Sequence, residues 1–164
     1  MFSVFKNINK YAGKNRFLDA LAIFCARYLL YILLAVLLVN AFVIHSLAAF
    51  FIPLAAGLLA AFFGNKIIYI FYKKDRPAEL KSTNLLIPIP HNPSFPSRHA
   101  SLMFGVSFCL LFYSVPLAII FLVFSCIIGV SRVFCGVHWF SDIVAGALMG
   151  FLFSIVVYTL LHNL

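Results

Sequence analysis

The chain has 164 residues, of which 65% are hydrophobic and 10% are charged, and its net charge is +8. This composition excludes an ordinary soluble domain. A helix needs roughly 20 apolar residues to cross a bilayer, so the chain has enough residues for about five crossings. We therefore expect residues 1–164 to form a single membrane-embedded domain, with no separate soluble domain.

Apolar segments follow one another in chain order with short turns between them. Residues 15–24 predict an interfacial helix, because Arg16 and Asp19 stand among apolar residues. The apolar stretch over residues 17–44, which overlaps this helix, is too long for a cleaved secretion signal, so we keep it in the mature protein. Five spans are predicted: they cover residues 28–44, 47–72 and 97–113, a fourth segment from the turn at Pro116 to about residue 131, and residues 143–161. The predicted fold is an all-α integral membrane helical bundle.

One long loop, residues 73–96, holds five of the seven prolines. With five spans, the amino terminus, this loop and the segment between the last two spans emerge on one face. All twelve Lys and Arg residues then lie on that face, and the opposite face has only His45, His162 and neutral turns. The positive-inside rule makes the charged face cytoplasmic. Topology explains Arg98 and Arg132 less well, because each stands at the end of an apolar span, where ionisable groups are costly and more often functional.

The four cysteines show neither CxxC spacing nor clustering with histidine, so we expect no metal site. Cys25, Cys109 and Cys126 lie in apolar runs and are predicted to be small core residues. Cys135 receives no chemical role.

Three polar clusters lie on the charged face: "KKDRPAELK", "PSRHAS" and "SRVFCGVHWFSD". In the second cluster Ser97 is predicted to be a helix N-cap, and a helix start favours an anion. Arg98 adds a positive charge, and His99 adds a group that exchanges a proton near neutral pH. In the third cluster His138 and Asp142 share a face if that segment is helical, so the carboxylate can hold one imidazole nitrogen and leave the other as a base or nucleophile. Taken singly, the first cluster is also typical of a solvated loop, and the second of a capped helix with a snorkelling arginine.

Taken together, the clusters resemble the type 2 phosphatidic acid phosphatase superfamily of integral membrane lipid phosphatases. Its motifs are K-x6-RP, PSGH and SR-x3-G-x-H-x3-D, and the resemblance covers roughly residues 66–161. Arg98 stands where the second motif usually has glycine, and Tyr69 stands where the first motif has lysine. The matching residues are Arg76 and Pro77 in the first motif, Pro96, Ser97 and His99 in the second, and Ser131, Arg132, Gly136, His138 and Asp142 in the third.

The resemblance implies a role for each matched residue. His138 would be the nucleophile that forms a phosphohistidine, Asp142 would orient it, and His99 would act first as general acid and then as general base. We assign the missing motif cation to Lys73, with Lys66 and Lys74 as alternatives. No metal or cofactor is implied. The groups expected to hold phosphate oxygens are Arg76, Ser97 and Arg132, together with Arg98 and Lys73.

The resemblance also implies that the substrate is a phosphorylated lipid and that the protein lies in a bacterial inner membrane. Membrane lipids are its expected partners, and no nucleic acid is expected to bind. Undecaprenyl diphosphate is the leading substrate hypothesis, because a compact chain suits recycling of a lipid carrier and Arg98 could meet a second phosphate. The alternatives are phosphatidic acid, phosphatidylglycerol phosphate and a lipid A phosphate. A non-enzymatic transporter or scaffold is the alternative from another class, and a haloperoxidase is disfavoured because no soluble domain is expected. Resemblance to carrier-lipid phosphatases implies an extracytoplasmic catalytic face, which conflicts with the charge count. The sequence does not indicate an oligomeric state.

Overall fold

The computed structural model describes residues 2–89 and 92–163, apart from the side chain of His162. Pro90 and His91 of the predicted loop, and the His162 side chain assigned to the opposite face, therefore lie outside the described residues. Eight α-helices occur in the described part of the chain: α1 Phe2–Asn9, α2 Arg16–Arg27, α3 Leu29–Val43, α4 Ala48–Leu58, α5 Asn65–Phe71, α6 Arg98–Leu110, α7 Val115–Phe134 and α8 Phe140–His162.

The regular secondary structure of the described residues is all helical, with no strand among them, which confirms the predicted fold class. Within the described part of the chain, three helical stretches are long and apolar enough to cross a membrane: Ala48–Phe71, Val115–Phe134 and Phe140–Leu161. Helices α2 and α3 meet at a 50° bend and make a fourth span if the pair is counted as one. Helix α6 has 13 residues, about 20 Å, and is shorter than a hydrocarbon core of about 30 Å. The predicted count of five spans is therefore not confirmed.

The predicted interfacial segment is helix α2. The Asn15 side chain caps it by accepting hydrogen bonds from the amides of Phe17 and Leu18 at 2.9 and 3.1 Å. These bonds satisfy two of the amides that a helix start leaves free. Helix α1 was not predicted from the sequence.

Helix α6 packs against α4, α7 and α8 and is buried along most of its length. Glycines allow this close approach. A Cβ atom on Gly105 would lie 2.7 Å from Cα of Gly57 in α4, and one on Gly150 in α8 would lie 2.5 Å from the Gly105 nitrogen. Because neighbouring helices surround α6, its short length fits the interior of the bundle.

The second span contains a π-helical segment, Leu59–Gly64, between α4 and α5. Directly after it, Asn65 and Tyr69 reach the loop that precedes α6: the Asn65 amide and the Tyr69 hydroxyl donate to the Pro96 carbonyl at 3.4 and 3.0 Å. Local departures of this kind are common near functional sites.

Cys25 and Cys109 are buried, in agreement with their prediction as core residues. Cys126 is exposed on α7, so its prediction as a core residue is wrong. An apolar run in a membrane protein does not distinguish the lipid-facing side of a helix from the core side, because both are apolar.

Asn9 joins three segments at one end of the bundle. Its amide nitrogen donates to the carbonyls of Asn84 and Phe134 at 2.9 and 2.8 Å, and its amide oxygen accepts from the Asn84 backbone at 2.9 Å. The amino terminus, the long loop and the end of α7 therefore lie together, as the arrangement of spans predicts. Gly136 adopts φ +81° beside them, where a Cβ atom would lie 2.9 Å from the Asn84 carbonyl oxygen.

Candidate active site

His138 lies in the turn between α7 and α8 and is 2% exposed. Its Nδ1 atom is 3.0 Å from the carbonyl oxygen of Ser94. A carbonyl only accepts hydrogen bonds, so Nδ1 carries the proton and Nε2 of the neutral ring has a free lone pair. Nε2 lies 3.3 Å from Nη1 of Arg76. The nitrogen directed at the site is therefore the unprotonated one.

Burial lowers the pKa of His138 to about 4, and the neighbouring Asp142 opposes that shift only in part. The ring is therefore neutral at physiological pH. A neutral imidazole with a fixed tautomer is the form that can act as a nucleophile.

Asp142 is fully buried in the first turn of α8 and is surrounded by donors. Its Oδ1 atom accepts from Lys74 Nζ at 2.8 Å, and its Oδ2 atom accepts from the Trp139 amide at 2.9 Å and from the Ser94 hydroxyl. Nδ1 of His138 is 3.5 Å from Oδ2, farther than from the Ser94 carbonyl. The predicted pair of His138 and Asp142 is thus present, and a backbone carbonyl shares the orienting role.

The condition for a shared helical face is not met, because α8 begins at Phe140 and His138 precedes it. The turn itself brings the ring back over the first turn of the helix.

Arg76 is buried between two backbone segments. Its Nη1 atom donates to the Val137 carbonyl at 2.7 Å, and its Nε and Nη2 atoms donate to Asn92 at 3.2 and 2.9 Å. Nη2 also donates to the Pro93 carbonyl at 3.1 Å. Burial lowers the pKa of Arg76. Arg76 therefore ties the loop to the turn that carries His138, and its guanidinium edge borders Nε2.

Three buried side-chain nitrogen and oxygen atoms have no hydrogen-bond partner among residues 2–89 and 92–163: Ser97 Oγ, Arg98 Nε and Arg132 Nε. All three belong to the predicted motifs. Ser97 stands at the N-cap of α6, yet its hydroxyl makes no capping bond, which corrects the capping role expected for this side chain. Buried donors without partners are costly in free energy, and an anion would satisfy them.

His99 and Arg98 border an apolar groove. The Arg98 guanidinium lies 5.6 and 5.7 Å from the ring centroids of Phe62 and Tyr69. His99 lies within electrostatic range of His138, Arg132 and Arg76. The groove has a volume of about 310 Å³, and its other lining residues are Leu30, Tyr31, Leu34, Leu58, Ala61, Phe62 and Leu102.

Two of the three candidate lysines, Lys73 and Lys74, line a cleft of about 380 Å³ with Arg76. Lys73 is exposed there, and Lys66 is exposed on α5. Lys74 contacts the buried Asp142. At the motif position itself, Tyr69 binds the Pro96 carbonyl and accepts from the Asn92 amide at 3.3 Å, so it positions the second motif and carries no charge.

Sequence reasoning missed Ser94 and did not select Lys74. Lys74 was among the alternatives for the missing cation, but adjacent lysines in a loop cannot be ranked by sequence. Ser94 lies outside the three motifs, and nothing in its sequence neighbourhood indicates that one residue holds both His138 and Asp142.

A family model described as the PAP2 superfamily matches residues 24–164, which include every residue of the site. The chain belongs to the PAP2 superfamily. This PAP2 protein is an integral membrane lipid phosphatase, a hydrolase of phosphoric esters that acts on phosphorylated lipids.

Two curated relatives match most of this PAP2 chain. The bacitracin transport permease protein BcrC of Bacillus licheniformis is 29% identical, over 94% of this chain and 77% of the relative. The undecaprenyl-diphosphatase BcrC of Bacillus subtilis strain 168 is 27% identical, over 93% of this chain and 81% of the relative.

Two solved structures are also similar. Aquifex aeolicus LpxE has a TM-score of 0.74 and is 25% identical, with 96% of this chain and 94% of LpxE covered. A transmembrane PAP2 type phosphatidylglycerolphosphate phosphatase from Bacillus subtilis has a TM-score of 0.68 and is 20% identical, with 99% and 86% covered, and shares the fold.

Proposed function

We propose that this PAP2 protein removes the terminal phosphate of a lipid diphosphate in a bacterial inner membrane, with undecaprenyl diphosphate as the leading substrate. The observation that carries the proposal is the set of three unpartnered buried atoms, Ser97 Oγ, Arg98 Nε and Arg132 Nε. They lie in the motif segments that also supply His99 and His138, and an apolar groove begins at Arg98 and His99. Phosphate oxygens supply the acceptors that these donors lack, and the groove suits a hydrocarbon chain.

The reaction has two steps. Nε2 of His138 attacks the terminal phosphorus, and the bond between that phosphorus and the bridging oxygen breaks. His99, which binds a proton when the anionic substrate lies beside it, gives that proton to the departing oxygen, so the lipid leaves as a monophosphate. Water then attacks the phosphohistidine and gives a proton to His99, and the P–N bond breaks to release inorganic phosphate and restore Nε2.

The cations supply the charge stabilisation that phosphoryl transfer requires. Ser97 and Arg132 would bind the transferred phosphoryl oxygens, and Arg76 borders Nε2 where that group would lie. Arg98 lines the apolar groove, where it would meet the phosphate nearer the lipid chain. Lys73, exposed at the neighbouring cleft, would draw the anionic headgroup toward the site.

The substrate assignment draws further support from the Bacillus subtilis relative, which is named an undecaprenyl-diphosphatase. The names of the two structural neighbours point to LpxE and to a phosphatidylglycerolphosphate phosphatase, so lipid A phosphates and phosphatidylglycerol phosphate remain the competing substrates with phosphatidic acid.

Phosphate release from purified protein in detergent, with excess chelator, tests the reaction. Wild type should release phosphate from undecaprenyl diphosphate, and His138→Ala should lose on the order of 10³-fold or more of that rate. His45→Asn is the matched control, because His45 lies in the turn before α4, has φ 51°, and asparagine tolerates that backbone conformation. Equal rates in wild type and His138→Ala would refute the mechanism and favour transport, the role in the name of the Bacillus licheniformis relative.

A substrate panel tests the diphosphate assignment. We expect the highest kcat/KM for undecaprenyl diphosphate, and we expect Arg98→Gly, which introduces the usual family residue, to lower its preference over phosphatidic acid by on the order of tenfold. An unchanged ratio in Arg98→Gly would remove Arg98 from substrate discrimination. If wild type has its highest kcat/KM for one of the lipid monophosphates, that lipid replaces undecaprenyl diphosphate as the proposed substrate.

A further inference from the structure

Lys74 contacts all the parts of the site that orient the nucleophile. Its ammonium lies 2.8 Å from Oδ1 of Asp142 and 2.7 Å from the Ser141 hydroxyl. Its backbone carbonyl accepts from the Ser94 amide at 3.0 Å. Ser94 in turn donates its hydroxyl to Oδ2 of Asp142 and accepts from Nδ1 of His138 through its carbonyl. One residue thus links the loop to the acidic group and, through Ser94, to the nucleophile.

The surroundings of Lys74 hold its ammonium in one place. The Nζ atom lies 5.4 Å from the ring centroid of Phe95 and 5.6 Å from that of Trp139. The Trp139 ring is fixed in turn, because its Nε1 atom donates to the Asp75 carbonyl at 2.9 Å. Two aromatic rings and a buried carboxylate are a favourable site for a cation.

Lys74 lines the cleft beside Arg76, but its ammonium is already engaged by two partners. The ammonium donates to Asp142 and Ser141, and an ion pair with a fully buried carboxylate is costly to break. The lysine of the family's first motif is replaced here by Tyr69, which binds the Pro96 carbonyl. The positive charge of Lys74 is therefore supplied from a different chain position than that of Tyr69, and it faces Asp142.

We propose that Lys74 is a positioning residue for the nucleophile: its ammonium fixes Asp142, and its backbone fixes Ser94, so that together they hold the His138 ring with Nε2 toward the phosphoryl group. This assignment rests on the proposed function for its kinetic consequence. Its structural consequence, the fixed orientation of the ring, does not depend on the substrate.

The kinetic test compares Lys74→Met, Lys74→Arg and the control Lys81→Met, an exposed loop lysine. Methionine keeps the apolar stem and removes the charge. We expect kcat to fall on the order of 10²-fold in Lys74→Met, because small displacements of a reacting group have effects of this size. KM should stay nearly constant, Lys74→Arg should recover at least about tenfold of the lost kcat, and Lys81→Met should match wild type. If Lys74→Met does not purify as folded protein, Lys74→Gln takes its place.

Two further measurements separate positioning from other roles. The double variant Lys74→Met, Asp142→Asn should have nearly the same rate as Asp142→Asn alone, because both substitutions act through the same carboxylate. Histidine-ring NMR of wild type and Lys74→Met, without substrate, should show an altered His138 resonance that Lys81→Met leaves in place.

The outcomes are distinct from those that test the proposed function. A wild type that releases no phosphate removes the proposed function, and the NMR comparison then decides the assignment of Lys74. An active wild type with an unchanged kcat in Lys74→Met overturns the assignment. A raised KM with unchanged kcat in Lys74→Met also overturns it. The same holds if the rate losses of Lys74→Met and Asp142→Asn multiply fully in the double variant, or if Lys74→Met leaves the His138 resonance unaltered.

Discussion

The protonation of His138 gives a quantitative prediction for a shift from pH 7.5 to pH 5. Burial lowers the pKa of this ring to about 4, from an ordinary value of 6.5. At pH 5 about nine-tenths of the rings should then be neutral, whereas a ring with the ordinary pKa would be only about one-thirtieth neutral. The supply of nucleophile should therefore hardly change over this range.

Histidine-ring NMR of isotopically labelled protein in detergent measures this titration, with the His138 signal assigned by its disappearance in His138→Gln. The signal should remain that of a neutral ring with the proton on Nδ1, because Nδ1 donates to the Ser94 carbonyl. A midpoint near 6.5, or a proton on Nε2, would refute the argument from burial and tautomer.

The same shift has a consequence for stability, with a definite sign. Between pH 6.5 and pH 4 the unfolded chain binds a proton at His138 that the folded protein does not bind. This group should therefore lower the free energy of unfolding as the pH falls through that window, and leave it unchanged above it. A thermal midpoint measured in wild type and His138→Gln should show a smaller acid-induced loss in the variant.

Two further predictions concern assembly and topology. Asn9→Ala removes three hydrogen bonds to partly buried backbone groups of the long loop and of α7, so it should lower the free energy of unfolding by about 1–3 kcal/mol. Thermal unfolding measures this, with the exposed Asn7→Ala as control, and equal midpoints would contradict it. The side of the membrane that the site faces is tested with Lys81→Cys in a Cys126→Ser background, which removes the exposed native thiol. If the site faces outward, as carrier-lipid hydrolysis requires, an impermeant thiol reagent should label the introduced cysteine in intact cells. Labelling only after lysis would place the site on the cytoplasmic face, as the charge count predicts.

Much of the architecture follows from the sequence because hydropathy and the motifs carry the information locally. Continuous apolar runs locate α3, the Ala48–Phe71 span, α7 and α8 within a few residues. The spacing from Ser131 to Asp142 predicts that His138 and Asp142 act as a pair, and the structure brings Nδ1 of His138 to 3.5 Å from Oδ2 of Asp142. The exposed side of α7 could not be predicted, because lipid and core favour the same side chains and Cys126 fits either environment.

The loop shows where local information ends. Tyr69 breaks the first motif, and the assignment of the missing cation to Lys73 stays a prediction. Which lysine meets the buried carboxylate depends on how residues 73–89 and 92–96 lie against α8, because their path carries Lys74 to Asp142 and Ser94 to both His138 and Asp142. The wrong expectation for Ser97 has the same origin: its position at a helix start was correct, but the direction of its hydroxyl depends on neighbouring helices.

The sequence by itself determined that this chain is a helical membrane protein and which residue types carry its chemistry, because both are written in composition and in short, fixed spacings. The tertiary structure decided which cation faces the buried carboxylate, which nitrogen of His138 keeps its proton, and which donors stay open for an anion. Those features depend on distances of about 3 Å between groups far apart in the chain, such as Ser94 and His138 or Lys74 and Asp142, and no local pattern sets such distances.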